Sequence, residues 1–397
     1  MQLTATAYEP KFLEKWRTEM VSEDSIERLL TEYTTLFCEV IKTRNQRVHF
    51  ENYIRGLMSE LSRKSIEPIA LALVGEKGVR SMQQFMKRSP LDDEAIMGEY
   101  QKQLAVRITS KNGMLSVDGS DSVKKGTDSV GVGRQYCGTV GKVESCQAGV
   151  FTAYAGSNGY GLVDRELYFQ EKWFSEEYKD LREKCGVPEG KIFQTKNKIA
   201  LAQVENIVSK KLFEIKWYGC DSAFGCDHDF LDSLPKGTPY FAAVKNNERI
   251  FLKDDLVAIK AIADNNDIPW QRARIGEGSK GAIYADVKVL RATSCRTVDN
   301  CATHHCDIWV YIRKYENGDI KFFISNAPET TKEQELHEAA TLRWPIEQCF
   351  QECKSYLGME HCEGRSYTGL LRHWLFVMIA HLFTTSLRIG LKKLESL

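Results

Sequence analysis

Three charged residues near the C-terminal end of the chain share one face of a predicted helix. In the segment LRWPIEQCFQECKSYLG, Arg343, Glu347 and Lys354 stand at positions i, i+4 and i+11. At about 100° per residue these offsets fall within roughly 40° of one another around a helix. An ion pair on a solvated helix accounts for Arg343 with Glu347, but it does not require Lys354 on the same stripe. The spacing therefore favours a functional carboxylate flanked by two cations.

Two further carboxylates end predicted strands that lie far apart in the sequence. MLSVD ends at Asp118, and EIKWYGCD ends at Asp221. In open α/β sheets the functional edge lies at the carboxyl ends of strands, so adjacent strands would bring the two side chains together. Two carboxylates this close repel unless a cation neutralises them, and Mg²⁺ or Mn²⁺ suits such an oxygen-rich site. For either aspartate taken alone, capping of the helix or loop that follows is the simpler interpretation.

The secondary structure that must position these residues is predicted to change along the chain, from helices to a mixture of strands and helices. Apolar residues at helical spacing predict helices within residues 1–110, at about 26–41, 48–62, 65–74, 80–87 and 92–107. From Met114 onward the pattern predicts β segments at about 114–118, 142–155 and 159–169, then helices at 175–185 and 197–212, then strands ending at Asp221 and covering 240–245.

The last third of the chain is predicted to be a β region followed by one long helix. Residues 246–330 are mostly β in character and include a hairpin turned at Asn317-Gly318. A helix follows from about Lys332 to Leu357, and Gly358 ends it. Its Glu-bearing part begins near Pro345, because proline is tolerated in a first helical turn but not in a helix interior.

This order of elements predicts an α/β fold: a ribonuclease-H-like catalytic core with an inserted mainly-β region and an N-terminal helical domain. The predicted layout has four parts. Residues 1–110 form the helical, DNA-binding domain, 111–245 the first part of the core, 246–330 the β-rich insertion, and 331–397 the C-terminal part of the core with the Glu-bearing helix.

Composition limits the class of protein. The chain has 397 residues, 43% of them hydrophobic and 27% charged, which is typical of a soluble globular protein. Its 54 basic and 54 acidic residues cancel, so a nucleic-acid surface would require charge segregated into patches. No apolar stretch is expected to span a membrane, and Leu370 to Phe383 is expected to be a buried helix. The absence of a signal-peptide pattern and the 12 cysteines predict a cytoplasmic protein with free thiols.

Several other patterns admit a functional and a structural interpretation. The basic residues Arg44, Arg47, Arg55, Arg63 and Lys64 form either a DNA-contacting or a solvated helical face. A Cys/His cluster lacks the spacing of common zinc sites, which favours free thiols and surface histidines (Cys295, Cys301, His304, His305 and Cys306). GEGSKG at 276–281 lacks a phosphate-loop ending and predicts a β-turn. Trp270 is expected to pack in the core rather than stack on a base.

The segment around Glu347 resembles a known family. RWPIEQCFQECKSYLG is similar to the R-W-x-I-E-x-x-F-x-x-x-K-x-x-L-G element of DDE transposases from bacterial insertion sequences. VDGSDSVKKGTDSVGVGRQYCGTVGKVESCQAGVFTAYA resembles the block around the first acidic residue in the insertion sequence 701 family, which is related to the insertion sequence 4 group. KCGVPEGKIFQTK, WYGCDSAFG, RSYTGLLRHW and FENYIRGLMSELSRKSIEPIA also look like that family, so the resemblance covers nearly the whole chain.

The resemblance implies a cut-and-paste transposase. Asp118, Asp221 and Glu347 match the metal-binding triad, which would hold two Mg²⁺ ions, or Mn²⁺ in their place. Arg343 and Lys354 match the basic residues that hold DNA phosphates beside it. The partners implied are double-stranded DNA, both transposon ends and target, and a second copy of the chain in a homodimer on DNA. Further phosphate contacts, or alternatively a solvated loop, are expected from Lys124, Lys125, Arg134 and Lys142.

The sequence leaves some alternatives open. Asp118-Gly119-Ser120-Asp121 stands where family members commonly have Asp-Asp-Thr-Gly, so Asp121 is a second candidate for the first ligand. Asp118 is preferred because it ends the apolar strand, with Asp121 expected in the loop beyond. Ala340 stands where the related group usually has tyrosine, which leaves open whether a DNA hairpin forms. The alternative functions are an idle DNA-binding descendant of a transposase and a ribonuclease-H-like nuclease without strand transfer.

Overall fold

The N-terminal part of the chain is helical, as its apolar spacing predicts. The computed structural model describes residues 23–278 and 281–395, so residues 1–22 of the predicted helical region lie outside the described residues. From residue 23 onward, five helices precede the first strand: α1 (Glu23–Thr35), α2 (Arg44–Met58), α3 (Ile66–Leu73), α4 (Glu76–Arg88) and α5 (Asp93–Ile108). Thr43 caps α2 with a capping box, and the Asp92 side chain caps α5, so local sequence signals fix both starts.

The strands of the described residues form one mixed sheet. They are β1 (Met114–Val123), β2 (Gly133–Cys137), β3 (Lys142–Gly156), β4 (Gly159–Tyr168), β5 (Trp217–Cys220), β6 (Tyr240–Val244), β7 (Arg249–Leu252), β8 (Asp255–Ala258), β9 (Gln271–Gly278), β10 (Gly281–Val298), β11 (Cys301–Lys314) and β12 (Ile320–Ser325). The predicted β3, β4, β5 and β6 are confirmed, and β2 was not predicted. Gly278 pairs with Gly281 across 279–280, which lie outside the described residues, so the GEGSKG segment joins two antiparallel strands.

Strand pairing places β1 and β5 side by side. The sheet order is β2-β3-β1-β5-β6-β12-β11-β10-β7-β8, with β4 on β3 and β9 on β10. β1 is antiparallel to β3 but parallel to β5, and β5 is parallel to β6. The carboxyl ends of β1, β5 and β6 therefore meet at one edge of the sheet. β12 pairs with β6, so the β-rich segment continues the same sheet, and the predicted hairpin joins β11 to β12 with Gly318 at φ +88°.

Short helices connect the strands, and the longest of them packs on the first half of the sheet. They are α6 (Lys179–Cys185), α7 (Lys196–Lys210), α8 (Ser222–Gly225), α9 (His228–Ser233) and α10 (Ile259–Asp264). The side-chain oxygen of Thr195 accepts a hydrogen bond from the Lys198 backbone N–H, which fixes the start of α7. α7 contacts β3, β4 and β1, and thereby covers one face of the sheet.

The predicted helix over 332–357 is two helices, α11 (Glu333–Leu342) and α12 (Pro345–Leu357). The prediction of one continuous helix was wrong because Pro345 has no backbone N–H and can only start a new helix, where it occupies the first turn. The prediction that the Glu-bearing part begins near Pro345 is confirmed. Gly358 ends α12 in the left-handed conformation at φ +67°, as expected from its position.

The last helix, α13 (Tyr367–Glu395), runs through the core. Residues Tyr367–Leu391 are long and apolar enough, at mean hydropathy 1.5, to cross a membrane by composition, so the expectation that no such stretch exists was wrong. However, 72% of the most apolar window is buried inside the protein, as in the core helix of a soluble protein. The prediction that Leu370 to Phe383 is a buried helix is confirmed.

The N-terminal helices and α13 share one hydrophobic core with the first half of the sheet. The Tyr33 hydroxyl donates to the Ile379 carbonyl at 2.9 Å, and the Tyr53 hydroxyl lies 2.8 Å from Nδ1 of His373. The ring of Phe376 packs against that of Phe50, with centroids 5.2 Å apart. A second core cluster lies under α11, where Trp217, Phe241, Tyr311 and Phe323 are buried on one face of the sheet.

Candidate active site

Asp118 and Asp121 lie on opposite faces of the same strand. The expectation that Asp121 stands in a loop was wrong, because β1 stays paired with β3 as far as Val123. Asp118 is directly opposite Phe151, whose ring packs on Phe350 of α12 with centroids 5.4 Å apart, so Asp118 faces α12. Asp121 faces α7, where Nζ of Lys196 lies 3.8 Å from its Oδ1.

β1 continues five residues past Asp118, so the prediction that Asp118 ends its strand was wrong. Asp118 and Asp221 are nevertheless neighbours, at the point where the parallel pairing of β1 with β5 ends. Val117 pairs with Cys220 in the parallel ladder, and one residue further along come the two aspartates. Oδ1 of Asp221 accepts hydrogen bonds from the backbone N–H groups of Ala223 (3.0 Å) and Phe224 (3.3 Å), so Asp221 also caps α8. Oδ1 of Asp118 accepts from the Gly119 N–H at 2.6 Å. Each carboxylate keeps a second oxygen with no hydrogen-bond partner among the described residues.

The electrostatics of this pair are those of crowded carboxylates. Burial, and then the charge of Asp221, raise the pKa of Asp118 well above its ordinary value, against the lowering effect of Arg343. Burial also raises the pKa of Asp221, although the N–H groups of Phe224 and Ala223 and the charge of Arg343 oppose it. Two half-buried acids that resist ionisation together require a compensating cation.

In this structure the compensating cation is Arg343. Its side chain is 12% exposed, and its guanidinium donates to Oε1 of Glu347, which is 45% exposed. Burial would lower the pKa of Arg343, but the charges of Glu347, Asp118 and Asp221 raise it. Glu347 lies in the first turn of α12, where the positive end of the helix dipole favours a carboxylate. Arg343 thus lies within the electrostatic reach of all three predicted metal ligands.

The donor chemistry of the three acids fits a hard divalent cation, since all offer carboxylate oxygens and two of them are held side by side on adjacent strands. Among the described residues, however, no three His, Cys, Asp or Glu side chains lie close enough together to hold one ion. The contact between Arg343 and Glu347 accounts for this, because it directs the Glu347 carboxylate to the guanidinium. The structure brings together Asp118, Asp221, Arg343 and Glu347.

A groove of about 970 Å³ opens beside these residues. Asp221, Arg343 and Glu347 line one end of it. The remaining wall comes from the end of β6 and the β11–β12 hairpin, and it includes three basic residues that the sequence did not single out: Lys245, Arg313 and Lys321. Trp344, 47% exposed, borders it as well. The groove is long enough to hold more than a single ion or water.

Comparison with protein families assigns the chain. Residues 36–276 match the model described as DDE superfamily endonuclease, and residues 191–383 match the model described as transposase DDE domain. The chain belongs to the DDE superfamily endonucleases. The two matches together span every residue of the site, from Asp118 to Glu347. They make the protein a nuclease-type enzyme that acts on DNA, of a class that generally uses divalent metal ions.

Other comparisons add little to that assignment. No curated protein matches the sequence. Among solved structures, the chain is similar to the NurA nuclease from Sulfolobus solfataricus, at 8% identity and a TM-score of 0.30, over 66% of this chain and 86% of that one. Structural similarity this low indicates nothing about the function of this DDE endonuclease.

The second cation of the predicted stripe lies away from the carboxylates. Nζ of Lys354 donates to the Asp121 carbonyl at 3.1 Å and pairs with Oε1 of Glu360 at 2.6 Å. Nζ of Lys124 donates to the carbonyls of Glu360 and Cys362, and burial lowers its pKa. These two lysines hold the loop after α12 against β1. The other three residues of the predicted set have exposed side chains: Lys125, Arg134 and Lys142.

The basic residues of the N-terminal helices mostly bind groups of this chain. The Arg47 guanidinium donates to carbonyls at the end of the preceding segment, and Arg55 and Arg63 pair with acids (Glu27 and Glu51, and Glu363). The Lys64 ammonium is buried and donates to the Leu57 and Tyr356 carbonyls. Arg44 is exposed. A larger exposed basic face lies on α4, formed by Lys77, Arg80, Lys87 and Arg88.

The Cys/His segment makes ordinary protein contacts. The ring of His304 stacks on Phe251 with centroids 3.7 Å apart, and Nε2 of His305 lies 3.1 Å from Oδ2 of Asp232. Sγ of Cys306 lies 3.2 Å from the hydroxyl of Ser294. Trp270 packs against the core, with Nζ of Lys288 4.7 Å from its ring.

Proposed function

We propose that this DDE endonuclease is a transposase that binds the ends of an insertion sequence, cleaves them by metal-dependent hydrolysis and joins their 3′-hydroxyl ends to target DNA. The observation that carries the proposal is the meeting of Asp118, Asp221 and Glu347 around Arg343. The resemblance of nearly the whole chain to the insertion sequence 701 family supports cut-and-paste transposition as the reaction.

The proposed fold is a ribonuclease-H-like core. The strand order β4-β3-β1-β5-β6, antiparallel on one side of β1 and parallel on the other, supports it. Residues 111–245 and 331–397 would form this core, with 246–330 as its insertion and 1–110 as a helical, DNA-binding domain. The exposed basic face of α4 supports that last role, because basic residues on one helix face suit a phosphate backbone.

Asp118, Asp221 and Glu347 would hold the divalent ions, Mg²⁺ or Mn²⁺. When bound, such ions supply an activated nucleophile and stabilise the leaving oxygen of an in-line phosphodiester displacement. Arg343 would then exchange the Glu347 carboxylate for a DNA phosphate, since guanidinium binds either group in a bidentate manner. This exchange would keep the guanidinium paired before and after DNA binding.

The proposed partners are double-stranded DNA and a second copy of the chain, because joining requires two element ends to be held together. The proposed compartment is the cytoplasm. Exposed Lys125, Arg134 and Lys142 are proposed phosphate contacts, with Lys354 and Lys124 organising the loop beside them. Whether hairpins form on the DNA is a separate question, and the buried Ala340 provides no hydroxyl at the position where the related group has tyrosine.

The deciding experiment is a cleavage and joining assay on the element's own ends during a titration of Mg²⁺. We expect metal-dependent cuts at the ends and, with target DNA present, covalent joining of the 3′-hydroxyl. DNA binding without any metal-dependent nicking would support an idle descendant of a transposase. Cleavage without joining would support a nuclease that lacks strand transfer.

A further inference from the structure

Three basic residues form a row across three adjacent strands beside the candidate active site. Arg313 on β11 is directly opposite Lys321 on β12. Phe322 pairs with Val244 of β6, so Lys245, the next residue, lies beside Lys321. Neighbouring strands are about 4.8 Å apart, and directly opposed side chains lie on the same face of a sheet. We call Arg313, Lys321 and Lys245 the cationic row.

The cationic row lies on the same face of the sheet as the catalytic aspartates. Paired residues share a face, and β5 and β6 pair with Cys220 opposite Ala242, which puts Asp221, Ala243 and Lys245 on one face. Asp221 and all three members of the row line the same groove. The groove therefore runs from the row directly to the carboxylates.

Arg313 is the least satisfied member of the row. Its side chain is buried, at 6% exposure, and among the described residues no carboxylate pairs with it. The guanidinium packs on the rings of Tyr315 (4.7 Å) and Phe323 (5.7 Å) and donates to the Tyr315 hydroxyl. Its Nε has no hydrogen-bond partner. A buried guanidinium with an unused donor costs free energy unless an anion binds it.

The other charges in the groove leave the row uncompensated. Like charges on directly opposed strand positions destabilise a sheet, and Lys321 stands opposite Arg313. Lys245 and Lys321 are exposed, and within the described chain neither pairs with an acid. Asp319 also lines the groove and keeps its negative charge, but among the described residues it forms no ion pair with a member of the row, and the Asn317 side-chain amide donates to its carboxylate at 2.8 Å. The groove thus offers three cations to a linear polyanion.

We propose that the cationic row binds the sugar-phosphate backbone of the DNA strand that enters the candidate active site. Lys321 and Lys245 would contact the backbone with their exposed ammonium groups, and the more buried Arg313, which also lines the groove, would add its positive charge to the row. This inference rests on the proposed function, since it takes DNA as the polyanion. It adds the path of the strand, which approaches over the β11–β12 hairpin.

The test measures the salt dependence of DNA binding by the full-length protein. The probe is a fluorescein-labelled duplex that carries the element end and flanking DNA, followed by fluorescence anisotropy over a range of NaCl in Ca²⁺. Lys321→Gln and Lys245→Gln should each weaken binding and reduce the slope of log affinity against log salt by about 0.9, the value for one lost phosphate contact. Arg313→Gln, which removes a buried charge from the row, should also weaken binding, with a smaller change in slope.

Lys314→Gln is the matched control. Lys314 follows Arg313 on β11 and therefore lies on the opposite face, and it does not line the groove. Its substitution removes the same charge from the same strand and should leave the slope unchanged. Because Lys321 and Lys245 are exposed, their variants test the row even where Arg313→Gln does not fold.

Two outcomes would overturn the proposal. Equal slopes for wild type, Lys321→Gln and Lys245→Gln would show that DNA does not bind in the groove. Unchanged slopes, together with binding of inorganic phosphate that Lys321→Gln and Lys245→Gln weaken, would make the groove a site for small anions alone. Both outcomes are measured without cleavage. A failure of metal-dependent cutting would therefore contradict the proposed function and not the DNA-binding role of the cationic row.

Discussion

At the scale of single residues, the choice between Asp118 and Asp121 depends on the face of β1 that each occupies. Asp118 faces α12 and the charges of Asp221 and Arg343. Asp121 accepts a hydrogen bond from the Gly138 N–H at 2.8 Å and lies near Lys196 on the other face. Asp118 therefore lies beside a second carboxylate, where a divalent cation would stabilise it, whereas Asp121 has a lysine as its charged neighbour.

Asp118→Ala should lower the cleavage rate by about a thousandfold or more, because the loss of a metal ligand removes several kcal/mol of transition-state stabilisation. Binding of an end duplex in Ca²⁺ should stay near the wild-type value. The measurement is single-turnover cleavage in Mg²⁺ with anisotropy as the binding control. Asp121→Ala is the matched variant and should retain cleavage; loss of cleavage in Asp121→Ala but not in Asp118→Ala would reverse the assignment.

Arg343→Gln should separate metal binding from DNA cleavage. Removal of the guanidinium frees Glu347 and removes a cation that competes with the metal, so Mn²⁺ should bind several-fold more tightly by calorimetry. Cleavage should fall nevertheless, because a phosphate contact is lost. Arg63→Gln removes a guanidinium that pairs with Glu363 outside the site, and it should change neither quantity. A weaker or unchanged Mn²⁺ affinity in Arg343→Gln would show that the guanidinium does not compete.

At the scale of elements, the position of α12 depends on a buried polar cluster one turn beyond Glu347. Oε1 of Glu352 accepts hydrogen bonds from the Tyr160 hydroxyl (2.6 Å) and from Arg388 (3.0 Å), and Oε2 lies 2.6 Å from Nε2 of His381. These partners belong to β4 and α13. Burial alone would raise the pKa of Glu352, but hydrogen bonds from His381 and Tyr160 outweigh it and lower the pKa to about 2. The cluster fixes the helix that presents Glu347.

Glu352→Gln should destabilise the protein by roughly 1–3 kcal/mol near neutral pH, since three charge-assisted contacts lose their carboxylate. A carboxyl group whose folded pKa is depressed stabilises the fold above its unfolded pKa, near 4.5, and that contribution is lost as the pH falls toward 2. The stability difference between wild type and variant should therefore shrink as the pH falls below about 5.

Urea unfolding of the two proteins at several pH values measures this difference. Glu329→Gln, at an exposed position, serves as the control and should show no difference at any pH. A difference that stays constant between neutral and acid pH would mean that the carboxylate charge of Glu352 contributes nothing to the fold.

At the scale of the whole molecule, the N-terminal helices and the catalytic part of the chain share one core. Tyr33, Tyr53 and Phe50 of α1 and α2 contact Ile379, His373 and Phe376 of α13, and all six are buried. α13 in turn contacts β4 and α12. The helices that precede the sheet thereby complete the packing around the Glu-bearing helix.

A chain that lacks residues 1–110 should therefore fail to fold, because α13 would expose its apolar surface. The full-length protein should unfold in one transition, with far-ultraviolet circular dichroism and tryptophan fluorescence giving the same midpoint. Both proteins carry the same affinity tag in this comparison. A soluble, cooperatively folded fragment, or two separate transitions in the full-length chain, would show that the helices form an independent unit.

The sequence by itself determined the local features of this protein. The apolar periods located most helices and strands, Pro345 and Gly358 marked both ends of α12, and Asp118, Asp221 and Glu347 stood out by their positions in those elements. These features depend on interactions between residues that are close together in the chain. Residue type and spacing are therefore enough to predict them. The break between α11 and α12 was missed although Pro345 marks it, and the length of β1 was missed because pairing with the distant β3 keeps Asp121 in the strand.

The tertiary structure alone decided the partner of each charge. Lys354 was expected to hold a DNA phosphate, and Arg63 either to contact DNA or to lie on a solvated face, but Glu360 and Glu363 pair with them across the fold. The cationic row is a product of strand register, since Lys245 is far from Arg313 in the chain and reaches Lys321 only through the pairing of β6 with β12. Register and burial are set by contacts between distant segments, and no local pattern of residue types contains them.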